Sequence, residues 1–404
     1  MKKIPLNSIV LLIGSSKNDF YNLDFKYHEY IKIQSVKNDL IGSSVRYDIS
    51  SILKEELVRR SDLKLRLGER IVVDNNFFIK KNREPFIDLS KKYNIPIFYV
   101  IDPSIRNQNY NDYRKPLSQN DIRDILRGDG HASVIDNIHQ EISVVHKPYN
   151  NDLYNFVKSQ NYNGIMAIGD IHGMSESLKS AIEWASMRNL FMVFLGDIID
   201  YGPKPFECID MVYDIITRGR GVLSIGNHER KIFRWMQQYE EGEINLTLSD
   251  GNKVTTSAFE SLNDDDYIKY STRFKSIYNM SRHHWILKNF MFVHGGAEPE
   301  MFDIDYEKLY GKYETIALFG EMSESTDKNK MPDKSYTWID RIPDGKIVVV
   351  GHDIRNTFKP LEVKGNNGGT AIFLDTGSGK GGGLTSFDII FTDDNIEMKN
   401  YTRF

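Results

Sequence analysis

Five short segments in the second half of the chain carry side chains that hold metals and move protons. They are Gly169-Asp170-Ile171-His172-Gly173, Gly196-Asp197-Ile198-Ile199-Asp200, Gly226-Asn227-His228-Glu229, His294-Gly295-Gly296 and Gly351-His352. Each sits beside glycine directly after an apolar run, as residues do at the ends of buried strands. Hydrolysing a phosphate ester at neutral pH requires water to lose a proton, the phosphoryl oxygens to be neutralised and the leaving group to be protonated. Two divalent ions about 3.5–4 Å apart serve the first two needs. They call for hard oxygen donors, imidazoles and one carboxylate shared between them. Asp170 and His172 lie two apart at one strand end, so both reach one ion. Asp197, at the next strand end, is the natural bridge, and Asn227, His294 and His352 complete the second ion. His228 follows a ligand directly, so it stands beside the ions as a general acid, with Asp200 to orient it.

The elements that must carry these groups read as an α/β chain. Before the first segment come three apolar runs, Ile9 to Ile13, Arg70 to Asp74 and Ile97 to Ile101, with helical stretches at Ile52 to Leu67 and Phe86 to Tyr93. Apolar runs without alternation, separated by helices, imply a parallel sheet covered on both faces. The polar stretch Lys147 to Asp152 reads as a linker, so the expected domains are 1–150 and 161–404. In the second domain the expected strands are Ile165 to Ile168, Phe191 to Leu195, Val222 to Ile225, Phe290 to Val293, Ile347 to Val350 and Thr370 to Leu374. Helices are expected at Ser175 to Met187 and Pro205 to Thr217. The polar excursion Glu240 to Lys269 reads as an insertion over the site.

A chain of 404 residues exceeds one ordinary core and fits two or three domains. One cysteine, Cys208, makes no intramolecular disulfide, which fits a reducing compartment. No run reaches the roughly 20 apolar residues of a membrane span, and the expected location is the cytoplasm. Residues 1–160 hold 25 Lys and Arg against 20 Asp and Glu, whereas the remainder holds 27 against 36. The basic excess of the first part suits an anionic partner such as nucleic acid, but it is mild, and a solvated surface is the better explanation.

The ordered set Asp-x-His-Gly, Gly-Asp-x-x-Asp, Gly-Asn-His-Glu, His-Gly-Gly and Gly-His resembles the phosphoprotein-phosphatase type of calcineurin-like metallophosphoesterases. The resemblance runs from Gly169 to Asp353. It implies a metallophosphoesterase α/β sandwich. It assigns Asp170, His172 and Asp197 to one ion, and Asp197, Asn227, His294 and His352 to the other. His228 and Asp200 match the family's catalytic pair. The ions so implied are manganese, iron or zinc, with manganese preferred. Tyr201 is a departure, because the family usually has arginine there to hold a phosphate oxygen. A phenol brings no charge and no fork. Trp338-Ile339-Asp340-Arg341 resembles another arginine-bearing segment, so Arg341 is a candidate clamp, and Arg355 a weaker one.

The first domain resembles the kinase domain of bacterial polynucleotide kinase-phosphatases, through Val72 to Asn76, Arg83-Glu84-Pro85 and Ile97 to Asp102. The late segments Leu374-Asp375-Thr376-Gly377 and Gly381 to Thr385 are also similar to those proteins, with Asp375 near the site. A phosphate loop after Ile13 would need Gly-x-x-x-x-Gly-Lys-Ser/Thr. Gly14 begins it, but Asp19, Phe20 and Tyr21 stand where its chemistry belongs, and Lys17 is displaced. The expectation is a kinase-like parallel-sheet domain without kinase activity, with Arg106, Arg114 and Lys115 available to a nucleic-acid backbone. The resulting functional expectation is removal of 2′- or 3′-phosphates, or opening of 2′,3′-cyclic phosphates, at RNA ends. A phosphoserine/phosphothreonine phosphatase and a dinucleoside polyphosphate hydrolase are the alternatives. The oligomeric state is open.

Overall fold

The computed structural model describes residues 2–14, 29–41, 50–74, 77–102, 111–112, 115–116, 119–135, 142–144, 150–306, 308–326, 332–392 and 395–404. Lys17, Asp19, Phe20, Tyr21, Asn75, Asn76, Arg106 and Arg114 lie outside them. The chain divides into two compact units. One comprises Met1–Lys147 with Thr217–Gly219 and Asn263–Ser276; the other comprises Pro148–Ile216, Arg220–Leu262 and Ile277–Phe404.

The first unit is built on five parallel strands in the order Glu29–Lys32, Ile71–Asp74, Ile9–Ile13, Ile97–Ile101, Ser133–Ile135. Both faces are apolar. Ile9, Leu11, Ile13, Val73 and Tyr99 point into one core, and Val10, Leu12, Val72, Phe98 and Val100 into another. That explains why these runs show no alternation in sequence. Helices Ser50–Arg66 and Lys80–Tyr93 cover the larger core. Arg83 is fully buried, and its charge is met by Asp129 at 2.7 and 3.0 Å and by the carbonyls of Phe77 and Phe78. Arg83 is thus a structural residue of this unit.

The second unit holds two five-stranded sheets. One runs Gly221–Leu223, Leu190–Phe194, Gly164–Ile168, Thr385–Phe391, Ile396–Arg403; the other runs His284–Leu287, Phe290–Val293, Ile347–Val350, Thr370–Phe373, Leu361–Lys364. One core contains side chains of both sheets, among them Ile165, Val193, Phe387, Trp285, Phe292 and Ile372. Met291, Val293, Val348, Val350 and Phe373 face the opposite way, into a core shared with Ala317 and Trp338. This period-two division is what a sheet buried on both faces requires.

The excursion after Glu240 is helical rather than irregular. Helix Asp250–Glu260 starts at a Ser249 cap, and helix Asp264–Met280 follows. Cys208 is buried, and burial pushes its thiol up to about 12, so it is inert at neutral pH. Among the described residues no helix is long and apolar enough to cross a membrane.

Candidate metal centre

The donors come from strand ends of both sheets. Gly164–Ile168 ends just before Asp170 and His172, Leu190–Phe194 before Asp197, Gly221–Leu223 before Asn227, Phe290–Val293 before His294 and Ile347–Val350 before His352. Parallel neighbours such as Gly164–Ile168 and Leu190–Phe194 end side by side, which gathers residues far apart in sequence. His172, Asp197, Asp200, Tyr201 and His352 all have positive φ, from 48° to 75°. Such backbone conformations cost energy in non-glycine residues and gather at functional sites.

Asp197 lies at the middle. One carboxylate oxygen is 3.4 Å from His294 Nε2 and 3.8 Å from both His172 Nε2 and His228 Nε2. Ligand atoms of His172, Asp197 and His228 lie within 4.8 Å of one another, and so do those of Asp197, His294 and His352. Asp170 Oδ2 is 3.8 Å from His172 Nε2, and the Asp170 carboxylate also accepts the His352 amide at 3.0 Å. All six expected metal-ligand residues are therefore placed at these strand ends, and the structure also brings His228 beside Asp197.

Three observations fit a pair of cations. His172 donates from Nδ1 to the Ile199 carbonyl at 3.0 Å, which leaves Nε2, buried and without a partner, as a free lone pair. His294 Nδ1 is likewise 2.6 Å from the Leu195 carbonyl, and its Nε2 lies 2.9 Å from Asn227 Oδ1. Burial opposes a charge on His294, but Asp197 and Asp170 outweigh it and raise the ring to about 9. A proton thus takes the place that an ion would take in the loaded protein. Finally, Asp375 is buried with Oδ2 unpartnered, and its charge adds to that of Asp197 in holding Asp170 above the usual carboxylate range, after burial itself. Asp170, Asp197 and Asp375 thus gather three buried carboxyl groups, hard oxygen donors of the kind divalent cations take.

His228 is held from the other side. Its Nδ1 is hydrogen-bonded to Asp200 Oδ2, and its backbone amide donates to Asp197 Oδ1 at 3.1 Å. Burial would lower its pKa, yet Asp197 and Asp200 raise it to about 9. At neutral pH the ring carries a proton, with Nε2 facing the donor cluster. Burial is the main cause that drives His172 down to about 3, with Lys380 reinforcing the shift and Asp197 opposing it.

Four further residues support the site: Asn252, Thr255 and Lys380, which belong to no motif, and Glu229, which closes the Gly-Asn-His-Glu segment. Asn252, in the helix after Glu240, donates to Asp200 Oδ2 at 2.6 Å, and Asp200 N donates to Thr255 Oγ1 at 3.1 Å. Glu229 is fully buried and accepts from the amides of Asp197 and Ile198 at 2.8 Å and Gly226 at 2.9 Å, tying the Asp197 turn to the helix that carries His228. Burial and the Asp197 charge lift Glu229 to about 7. Lys380 lies over the Tyr201 ring, 4.4 Å from its centroid. Tyr201 is 39% exposed and stands edge-on to His172 at 4.9 Å.

The two arginines expected to clamp phosphate are engaged elsewhere. Arg341 is paired with Glu298 at 3.2 Å and Glu321 at 2.8 Å. Arg355 lies over the Tyr336 ring at 4.0 Å, with Asp353 at 3.7 Å. Their forks already meet protein carboxylates, so a free arginine clamp is not what the structure presents.

Residues 164–374 match the calcineurin-like phosphoesterase family model. The chain belongs to that family. As a member it is a metal-dependent phosphoesterase, and the His and Asp clusters supply the donors. It is 25% identical over 232 residues to a bis(5'-nucleosyl)-tetraphosphatase of Geobacillus sp. (strain WCH70), covering 54% of this chain and 88% of that one. It is 26% identical over 236 residues to the protein of the same name from Oceanobacillus iheyensis, covering 54% and 86%. Among solved structures, a metallophosphoesterase from Sphaerobacter thermophilus matches 59% of this chain and 89% of its own, at 16% identity and a TM-score of 0.33.

Proposed function

We propose that the protein removes 2′- or 3′-terminal phosphates, or opens 2′,3′-cyclic phosphates, at RNA ends, using two divalent ions, preferably manganese. The observation that carries the hydrolytic reading is the placement of His228, braced by Asp200 and Asn252, with Nε2 3.8 Å from the Asp197 carboxylate. Asp170, His172 and Asp197 would hold one ion, and Asp197, Asn227, His294 and His352 the other. Bound there, the ions would supply the charge that acidifies a water and neutralises phosphoryl oxygens. The residues do the rest. His228 gives its proton to the leaving oxygen, and Asp200 keeps the ring in the tautomer and direction that allow this. Glu229 and the two carbonyls behind His172 and His294 keep the donors aimed inward.

The RNA assignment rests on the resemblance of the domain order, a kinase-like domain before the phosphoesterase, and of Val72 to Asn76, Arg83-Glu84-Pro85, Ile97 to Asp102 and Leu374 to Thr385 to polynucleotide kinase-phosphatases. The strand order of the first unit supports a nucleotide-related ancestry. Numbered along the chain, its five strands lie 2-3-1-4-5. The C-terminal end of the first of them, at Ile13, therefore stands at a topological switch point, where α/β sheets receive ligands. Without the lysine and hydroxyl of a phosphate loop, this unit acts as a scaffold or RNA platform and not as a kinase.

A second reading, hydrolysis of dinucleoside polyphosphates, is favoured by the names of the Geobacillus and Oceanobacillus relatives. One panel separates the two: manganese-loaded protein with RNAs ending in 3′-phosphate, 2′-phosphate or 2′,3′-cyclic phosphate, diadenosine tetraphosphate, and a phosphopeptide. The RNA reading expects the highest kcat/KM on an RNA end, no phosphate transfer from ATP to 5′-hydroxyl RNA, and binding that weakens steeply with salt. Preference for diadenosine tetraphosphate, with ATP as a product, would replace it.

A further inference from the structure

We propose that Lys380 is a substrate-binding residue that holds the non-bridging oxygens of a terminal phosphate, with the Tyr201 ring as the shelf that positions its ammonium. The proposal deepens the phosphoesterase reading above and rests on it for the identity of the anion.

Lys380 belongs to the loop from Asp375 to Gly383, which links a strand of one sheet to a strand of the other. The loop is fastened rather than free. Ser378 Oγ donates to the Ile171 carbonyl at 2.9 Å, Gly377 N to Asp375 Oδ1 at 2.8 Å, and Lys380 N to the Gly377 carbonyl at 2.9 Å. Gly379 has φ of +72°, and a Cβ there would stand 2.7 Å from His172 Cβ. Only glycine lets the loop lie this close to the metal-ligand turn. The backbone therefore fixes Lys380 beside the site.

The shelf is fixed as well. A Cβ on Gly251 would stand 2.6 Å from Tyr201 Cζ and 2.9 Å from both Cε atoms, so the backbone of helix Asp250–Glu260 lies flat on the ring. His172 and His228 approach it at 4.9 and 5.6 Å between centroids. Lys380 Nζ lies over the ring at 4.4 Å, a cation–π distance. Among the described residues no carboxylate lies within ion-pair distance of that ammonium. Arg341 and Arg355, by contrast, both have carboxylate partners.

An exposed lysine without a carboxylate is ordinarily just solvated. Here it is carried on a strapped loop and seated on a ring clamped against two site histidines. An ammonium binds phosphate as a point charge, so it favours a dianionic monoester over a singly charged diester. The same preference suits an RNA 3′-phosphate better than a cyclic phosphate.

The test uses the manganese-loaded full chain as wild type, Lys380→Met and Lys380→Arg. Calorimetry measures binding of inorganic phosphate, and kcat/KM is taken for p-nitrophenyl phosphate and bis-p-nitrophenyl phosphate. Lys380→Met should weaken phosphate binding and lower kcat/KM for the monoester by about 10- to 100-fold, the scale of one charged hydrogen bond. Diester turnover should change by less than about threefold, and Lys380→Arg should recover most of the loss. Bound manganese per chain and the thermal midpoint should match the wild type. Phosphate binding to Lys380→Met within about twofold of wild type would overturn the proposal, as would a wild type that binds no phosphate. If the wild type hydrolyses neither ester, the phosphoesterase reading fails separately, while the phosphate titration still decides the role of Lys380.

Discussion

Removing Asn252 should disable the proton donor without touching a metal ligand. Its Nδ2 donates to Asp200 Oδ2 at 2.6 Å, in a site where both residues are buried. Asp200 Oδ1 has no partner, so Asn252 and His228 are what hold that carboxylate side chain. A hydrogen bond to a charged group contributes about 1.5–3 kcal/mol. If all of it were lost from the transition state, the rate would fall roughly 10- to 150-fold. Part of the loss also falls on the resting enzyme, so the expected drop in kcat for Asn252→Ala is about 10-fold. It should grow with the basicity of the leaving group, because protonation is what His228 supplies. The assay compares kcat on phenyl phosphate and p-nitrophenyl phosphate with manganese. Asn252 also belongs to the cap of its helix through Ser249 Oγ, at 2.8 Å. Ser249→Ala is therefore the control, since it weakens the cap and leaves Asp200 alone. If Asn252→Ala and Ser249→Ala behave alike on both esters, the bond to Asp200 has no part in catalysis and the reasoning fails.

Two further outcomes concern stability. Glu229→Gln keeps an oxygen for two of its three amides but turns an NH2 group toward the third. It should lower the thermal midpoint of the chelated protein by about 5 °C; a midpoint unchanged within about 1 °C would show that Glu229 does not brace the Asp197 turn. Glu321 is held down at about 2, because hydrogen bonds from Arg341, Thr337, Ser335 and the Trp338 amide overcome the opposing effect of burial. A carboxylate depressed in the folded state stabilises fully above its unfolded value, near 4.5, and that stability is lost as pH falls towards 2. Wild type should therefore lose thermal stability between those values more steeply than Glu321→Gln. Parallel midpoint curves for the two proteins would contradict the pairing.

The donors were legible because each lies beside glycine at the end of an apolar run, and strand ends are where a sheet leaves side chains free. Three of the five strands of the first unit, Ile9–Ile13, Ile71–Asp74 and Ile97–Ile101, and helices Ser175–Met187 and Pro205–Thr217 were readable for the same reason, unbroken apolar runs or helical periodicity, whereas the short mixed strands Glu29–Lys32 and Ser133–Ile135 were not. Thr385–Phe391 and Ile396–Arg403 were not, since their sequences mix polar and apolar residues; the first pairs with Gly164–Ile168, more than 200 residues away, and the second pairs with the first. Asn252 and Thr255 were hidden in a polar stretch whose charged neighbours suggested an insertion. Only the fold brings that helix onto Asp200. Lys380 sat unremarked between glycines, because nothing local distinguishes a seated lysine from a solvated one. Arg341 shows the converse: a motif position points to phosphate, while Glu298 and Glu321, 43 and 20 residues away, occupy the guanidinium.

The central claim is that Asp197 joins two ions in one hydrolytic site. The most direct measurement is bound manganese per chain together with hydrolysis of bis-p-nitrophenyl phosphate, in wild type and Asp197→Asn. Two ions per wild-type chain are expected. In the variant, loss of the shared carboxylate should release at least one ion and abolish turnover. Full metal content with wild-type turnover in Asp197→Asn would contradict the account.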